Sequence, residues 1–130
     1  MNRNALHSDD APKAIGPYSQ AVEVPPGHMV FLSGQTPLDP ATGELIQGDV
    51  AAQTERVMEN LRAVLASGGL DFRHVVRCGV FLVDMGDFAQ MNAAYGRCFP
   101  GTPPARTTVE VRGLPRGARV EIDCIAVRPA

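Results

Sequence analysis

Residues 103–111 read Pro-Pro-Ala-Arg-Thr-Thr-Val-Glu-Val, and no other stretch of the chain puts so many reactive side-chain types so close together. Arg106 follows two prolines and opens a predicted strand. Alternate residues on a strand share a face, so Arg106, Thr108 and Glu110 stand together. A guanidinium beside a hydroxyl and backbone amides can grip a carboxylate through two parallel hydrogen bonds. The same pattern also fits a solvated arginine at a strand edge. Further on, Glu121 and Asp123 alternate with Val120, Ile122 and Cys124. Acids at this spacing form either the solvent face of a strand or, where buried, an acid–base pair suited to moving a proton.

Other chemistries lack their signatures. His7, His28 and His74 are far apart, and none pairs with a cysteine or carboxylate at ligand spacing, so no metal is expected. There is no Gly-rich phosphate loop of the GxxxxGK or GxGxxG type, and no other cofactor is implied. Ser33 stands in Ser-Gly-Gln rather than in a GxSxG elbow. The three cysteines, Cys78, Cys98 and Cys124, are odd in number and widely spaced, which points to a reducing cytoplasm without a disulfide framework. Cys98 and Cys124 fall in apolar patterns and read as small core residues. Arg106, Arg112, Arg116 and Arg119 form a local basic cluster within reach of RNA phosphates. No stacking aromatics interleave it, and 12 basic against 14 acidic residues leave a net charge of -2, so nucleic acid is demoted as a partner.

The elements that must position these residues follow from periodicity and turn chemistry. With 45% hydrophobic and 20% charged residues over 130 positions, the chain reads as one globular domain, 1–130. No apolar run approaches the ~18 residues of a membrane span. The first ten residues are polar, with no apolar core of a secretory signal. Residues 1–20 read as irregular, punctuated by Pro12, Gly16 and Pro17. Strands are expected at 21–24 and 29–34. Asp39-Pro40-Ala41-Thr42-Gly43 is a turn. Asp49 caps a long helix that Gly68-Gly69 ends, with Val50, Val57, Leu61, Val64 and Leu65 on its apolar face. Residues 74–83 form a strand rich in β-branched residues. A second helix starts near Asp87, with Phe88, Met91, Tyr95 and Phe99 on one face, and Pro100-Gly101 stops it. Strands 107–112 and 119–127 close the chain, joined by a Leu114-Pro115-Arg116-Gly117 turn. The order β-β-α-β-α-β-β gives an α+β fold, with two helices on one face of a mixed sheet.

Three of the strands are apolar on both faces. Met29 and Phe31 alternate with Val30 and Leu32, and the strands at 74–83 and 119–127 behave alike. Two helices cover one face only. The other face would expose an apolar patch of a size that soluble monomers avoid, so it is expected to pack on another copy of the chain.

Several spaced blocks, in order, carry a resemblance. They are Ala14-Ile15-Gly16-Pro17-Tyr18-Ser19-Gln20-Ala21, Ser33-Gly34-Gln35, and Asp87-Phe88 with Asn92 and Tyr95. Pro104-Ala105-Arg106-Thr107 and Val120-Glu121-Ile122-Asp123-Cys124-Ile125-Ala126 follow. Across nearly the whole chain the sequence resembles the YjgF/Rid family, and within it the RidA-type enamine/imine deaminases. The resemblance implies a chorismate-mutase-like α+β fold and a homotrimer with sites in clefts between subunits. It implies hydrolysis of 2-aminoacrylate and related enamines or imines, released by pyridoxal-phosphate enzymes, to 2-oxo acids and ammonia, with no cofactor or metal.

By the same resemblance, Arg106 binds the substrate carboxylate and Glu121 orients or activates the attacking water. Tyr18, Ser33, Gly34 and Asn92 match pocket positions. Thr108 stands where RidA-type members commonly carry cysteine. A threonine keeps the backbone amide and a small polar side chain there. Two other functions stay open from the sequence: an endoribonuclease or translation inhibitor, and a non-catalytic trimer that binds small molecules.

Overall fold

A computed structural model of the chain describes residues 3–130. Met1 and Asn2, the start of the polar N-terminal stretch, lie outside the described residues. Strands β1 (Asn4–Leu6), β2 (Ala21–Glu23) and β3 (Gly27–Gln35) precede helix α1 (Val50–Ser67). Strand β4 (Val75–Leu82), helix α2 (Phe88–Gly96), β5 (Ala105–Glu110) and β6 (Val120–Pro129) follow. The main sheet runs β3-β6-β4-β5, with β4 and β5 parallel and the other neighbours antiparallel. This is the expected α+β class, a mixed sheet with two helices.

Helix α1 starts and stops where its caps dictate. Asp49 Oδ1 accepts the Ala52 N–H at 2.9 Å. At the other end Gly69 takes a φ of 72°, and the Leu70 N–H reaches back to the Leu65 carbonyl at 2.9 Å. Val57, Leu61 and Leu65 are buried along one stripe. With Met91 and Tyr95 of α2 they pack on Cys78, Val80 and Leu82 of β4 and on Val120, Ile122, Cys124 and Ala126 of β6. Both helices therefore cover one face of the sheet. On the other face Met29 is 58% and Phe31 69% exposed.

Two expectations need correction. Residues 1–20 are not wholly irregular, because β1 pairs antiparallel with β2. Three residues are too few to show a period, and what holds them is long-range. Arg3 Nη1 donates to the carbonyls of Phe72, Arg73 and Val75 at 2.9, 3.0 and 2.9 Å. Helix α2 ends at Gly96 rather than at Pro100. The chain tightens there into turns, with Cys98 N–H on the Tyr95 carbonyl and Phe99 N–H on the Gly96 carbonyl. Phe99 still packs on Tyr95, ring centroids 4.9 Å apart.

The strand order bears on the site. Strands β5 and β6 are joined in sequence by 114–117, yet they are not neighbours, because β4 lies between them. Their compositions explain the order. Val120, Ile122, Cys124 and Ala126 of β6 are buried on the helix side, which suits an interior strand, whereas Thr107, Val109 and Glu110 of β5 are exposed, which suits an edge.

Candidate active site

Arg106 lies opposite Cys78 in the β4–β5 register, and Cys78 lies opposite Cys124 in the β4–β6 register. Cross-strand partners share a face, so Arg106 and Thr108 point to the helix side. There the guanidinium meets three aromatic rings. The Tyr95, Tyr18 and Phe88 centroids lie 5.0, 5.2 and 5.7 Å from Arg106 Cζ. Arg106 has no ion-pair partner among the described residues. Burial pushes its pKa below the ordinary arginine value, yet it stays cationic at physiological pH. It is not the solvated edge arginine that the sequence left open.

Each wall of this cage has a local cause. The Tyr18 hydroxyl accepts the Ile15 N–H at 3.2 Å, and the Tyr18 N–H closes on the Gly16 carbonyl at 2.8 Å. A side chain on Gly16 would press on Arg106 Nη2 and Asn92 Nδ2, so the loop backbone runs directly against both. Ser19 fastens that loop to the start of β5, its Oγ donating to the Pro103 carbonyl at 2.7 Å. Phe88, Asn92 and Tyr95 recur at helical spacing on one face of α2. The start of that helix is tied to β6 by Arg119 Nη2 and Asp87 Oδ1 at 2.7 Å. Asp87 is only 7% exposed. Burial pushes the Tyr95 phenol above its ordinary pKa, so it stays neutral.

A cavity of about 460 Å³ opens over this cage, lined by Ile15, Tyr18, Met85, Phe88, Arg106, Thr107 and Thr108. Arg106 Nη1, Asn92 Oδ1 and Thr108 Oγ1 are buried and find no hydrogen-bond partner among the described residues. Buried polar atoms are nearly always paired, so three unpaired ones around one cation mark a place for a polar anionic ligand.

The fold does not bring all the expected site residues together. Tyr18, Asn92, Arg106 and Thr108 gather on the helix side. Glu121 lies opposite Phe81 in the β4–β6 register and is three residues from Cys124, so it points to the open face. Gly34 lies beneath it, and the Glu121 carboxylate fills the space where a Cβ on Gly34 would stand. Ser33, next to Gly34, is exposed. Asp123 on the same face accepts the Gly79 N–H at 3.0 Å, which gives it a structural task. The basic cluster is also dispersed. Arg106 is caged and Arg119 is paired with Asp87, leaving Arg112 and Arg116 in solvent. Among the described residues, no group of three His, Cys, Asp or Glu side chains could hold a metal. No helix there is long and apolar enough to cross a membrane.

The family model described as Endoribonuclease L-PSP matches residues 8–128. The chain belongs to the YjgF/Rid family. It is 71% identical over 127 residues to Protein DfrA of Myxococcus xanthus, covering 98% of this chain and 97% of that one. It is 44% identical over 126 residues to the mouse protein named 2-iminobutanoate/2-iminopropanoate deaminase, covering 97% and 92%. The crystal structure of RidA from the Antarctic bacterium Psychrobacter superposes with a TM-score of 0.75 at 41% identity, covering 97% of this chain and 100% of that one.

In this Rid chain the structure adds residues to the helix-side half that sequence reasoning missed. Phe88 and Tyr95 were visible as an apolar helix stripe, and only their i, i+7 spacing around the polar Asn92 hinted at a wall. Ile15 was visible only inside the block 14–21 that carries the resemblance, and Met85, which opens a short 3-10 turn, carried no signal. The arrangement can hold a carboxylate against a caged, half-buried cation. Within one copy it leaves the only expected water-activating acid on the opposite face of the sheet.

Proposed function

We propose that the protein hydrolyses reactive 2-enamine and 2-imine acids, such as 2-aminoacrylate, 2-iminopropanoate and 2-iminobutanoate, to 2-oxo acids and ammonia. The observation that carries this reading is Arg106, a half-buried guanidinium with no ion-pair partner among the described residues, whose buried Nη1 is unpaired at the edge of a cavity. Its fork matches the carboxylate that every such substrate carries. With the carboxylate held, C2 of the imine is fixed for attack. Water adds to C2 and gives a proton to Glu121. With the imine protonated at nitrogen beforehand, Glu121 returns that proton to the carbinolamine nitrogen, the C–N bond breaks and ammonia leaves, and the C2 hydroxyl gives its proton back to the Glu121 carboxylate as it becomes the ketone. An enamine first gains a proton at C3 to become the imine.

Glu121 must come from a second copy, because the sheet separates it from Arg106 of its own chain. Two different surfaces then meet: the β5 edge of one copy and the open β3–β6 face of the next. Such a head-to-tail contact closes into a ring, and a homotrimer is the ring we propose. The exposed Met29 and Phe31 lie on the face that this contact would cover. The free thiols of Cys78, Cys98 and Cys124 support a reducing cytoplasm as the compartment. Ribonuclease action is not favoured, since the arginines that would meet RNA phosphates are caged, paired or scattered. The test is to add the protein to a pyridoxal-phosphate dehydratase releasing 2-aminoacrylate and follow 2-oxo acid release. Acceleration that vanishes with Arg106→Ala supports the reading, and no acceleration refutes it.

A further inference from the structure

A second cavity, of about 490 Å³, opens away from Arg106, between helix α1, the turn that precedes β4 and the loop that follows α2. Three arginines line it, Arg3, Arg62 and Arg73, against one acid, Asp71. In a chain of net charge -2 that is a local excess of positive charge. Asp71 is already engaged, since Arg73 Nε and Nη2 reach its carboxylate at 3.1 and 2.7 Å. Arg3 has no ion-pair partner among the described residues. Its Nε donates to the Thr102 carbonyl at 2.8 Å and its Nη1 to the carbonyls of Phe72, Arg73 and Val75, while Nη2 has no hydrogen-bond partner among those residues. Burial pushes the Arg3 pKa below the ordinary arginine value without neutralising the group. The carbonyls fix the guanidinium in place and leave a half-buried cation without an opposite charge.

Arg62 completes the site from the other side. Its Cζ stands 4.7 Å from the centroid of the Phe72 ring. It meets Glu59 through Nε alone, at 3.3 Å. Such an exposed pair is weak, and it leaves Nη1 and Nη2 open. The remaining wall is apolar, with Phe72, Pro100 and Cys98. Burial pushes the Cys98 thiol above its ordinary pKa, so it stays neutral and adds no negative charge. A carboxylate is satisfied by one guanidinium fork, as Asp71 is by Arg73. A phosphate monoester carries three terminal oxygens and up to two charges, which suits open nitrogens on two guanidiniums at once. We propose that this cavity is an anion site separate from the Arg106 cage, and that it takes a phosphate monoester with a small apolar body. Arg3 and Arg62 hold the phosphate, and Phe72, Pro100 and Cys98 meet the body. None of the lining residues belongs to β3, β5 or β6, so the contact between copies proposed above leaves the site open. The inference does not rest on the deaminase reading.

The test is calorimetry with phenyl phosphate, inorganic phosphate and benzoate, run in the Arg106→Met protein so that the cage cannot answer for the result. Phenyl phosphate should bind at least about tenfold more tightly than either of the others, through its ester body against phosphate and through its extra oxygen and charge against benzoate. Adding Arg62→Met, which keeps a side chain over Phe72 and removes the charge, should weaken phenyl phosphate by about tenfold or more. Arg62→Glu should abolish its binding. Arg62 is exposed on its helix, so both variants should fold, whereas Arg3 also fastens the N-terminal strand and is left intact. In the same protein, phenyl phosphate should shift the amide NMR signals of Gly101 and Thr102. No saturable binding at millimolar ligand, or binding unmoved by both Arg62 variants, would overturn the site. Equal affinity for benzoate would overturn the choice of phosphate, and equal affinity for inorganic phosphate would overturn the choice of an ester over the free ion. Each of these results leaves the deaminase reading standing.

Discussion

Replacing Arg106 by methionine should separate activity from stability. In the folded chain the guanidinium is a partly buried cation with no carboxylate partner, and burial already lowers its pKa. Removing such a charge and filling the space between Tyr18, Phe88 and Tyr95 with a flexible thioether is neutral or stabilising, within about 1 kcal/mol. Activity moves the other way. A bidentate clamp makes two charge-assisted hydrogen bonds, each about 1.5 to 3 kcal/mol, so their loss removes about 3 to 6 kcal/mol of substrate stabilisation. At about 1.4 kcal/mol per decade that is a fall of about 10² to 10⁴ in kcat/KM. Arg106→Lys should recover little, because an ammonium lacks the planar fork. The assay pairs urea unfolding with 2-aminoacrylate turnover. A variant that keeps kcat/KM within about threefold would refute the clamp. One that loses more than about 2 kcal/mol of stability would show that Arg106 holds the fold.

Glu121→Gln should slow hydrolysis on the order of 10² to 10⁴ while 2-oxo acid binding, read by calorimetry, stays near wild type; full rate in this variant would reassign the water to other groups. Gly34→Ala puts a methyl where the Glu121 carboxylate lies, so kcat should fall about 100-fold with Tm shifted by less than about 5 °C; unchanged kcat would show that Glu121 is not poised there. Asp71, hydrogen-bonded by Arg73, is held down to a pKa of about 2. A depressed carboxylate stabilises the fold above its ordinary pKa, and that contribution is lost as pH falls through about 2. Carboxyl NMR should find the Asp71 titration near 2 and see it rise in Arg73→Ala.

Helix α1 was legible because its cap, its glycine stop and most of its stripe are local, although Val64, expected on the apolar face, is exposed. The facing of each strand was legible too, since alternation alone puts Arg106 with Thr108 and opposes Glu121 to Ile122. Strand order was not. Residues 107–112 and 119–127 read as strands linked by a turn, which says nothing of whether they pair. The insertion of β4 between them depends on which strand best fills an interior position, and that competition is tertiary. β1 was invisible because long-range bonds from Arg3 hold it. The aromatic cage was half visible: Phe88, Asn92 and Tyr95 share a helix face, but nothing in the chain's order links them to Tyr18, which lies seventy residues before Phe88.

The most direct test of a site shared between copies is mixed-subunit complementation. Arg106→Met and Glu121→Gln are each prepared pure, then unfolded and refolded together in equal amounts. If each site takes Arg106 from one copy and Glu121 from the next, one site in four combines two intact residues, so the mixture should recover about a quarter of wild-type turnover from two nearly inactive proteins. Recovery no greater than the sum of the two variants alone would mean that each site is built within a single copy.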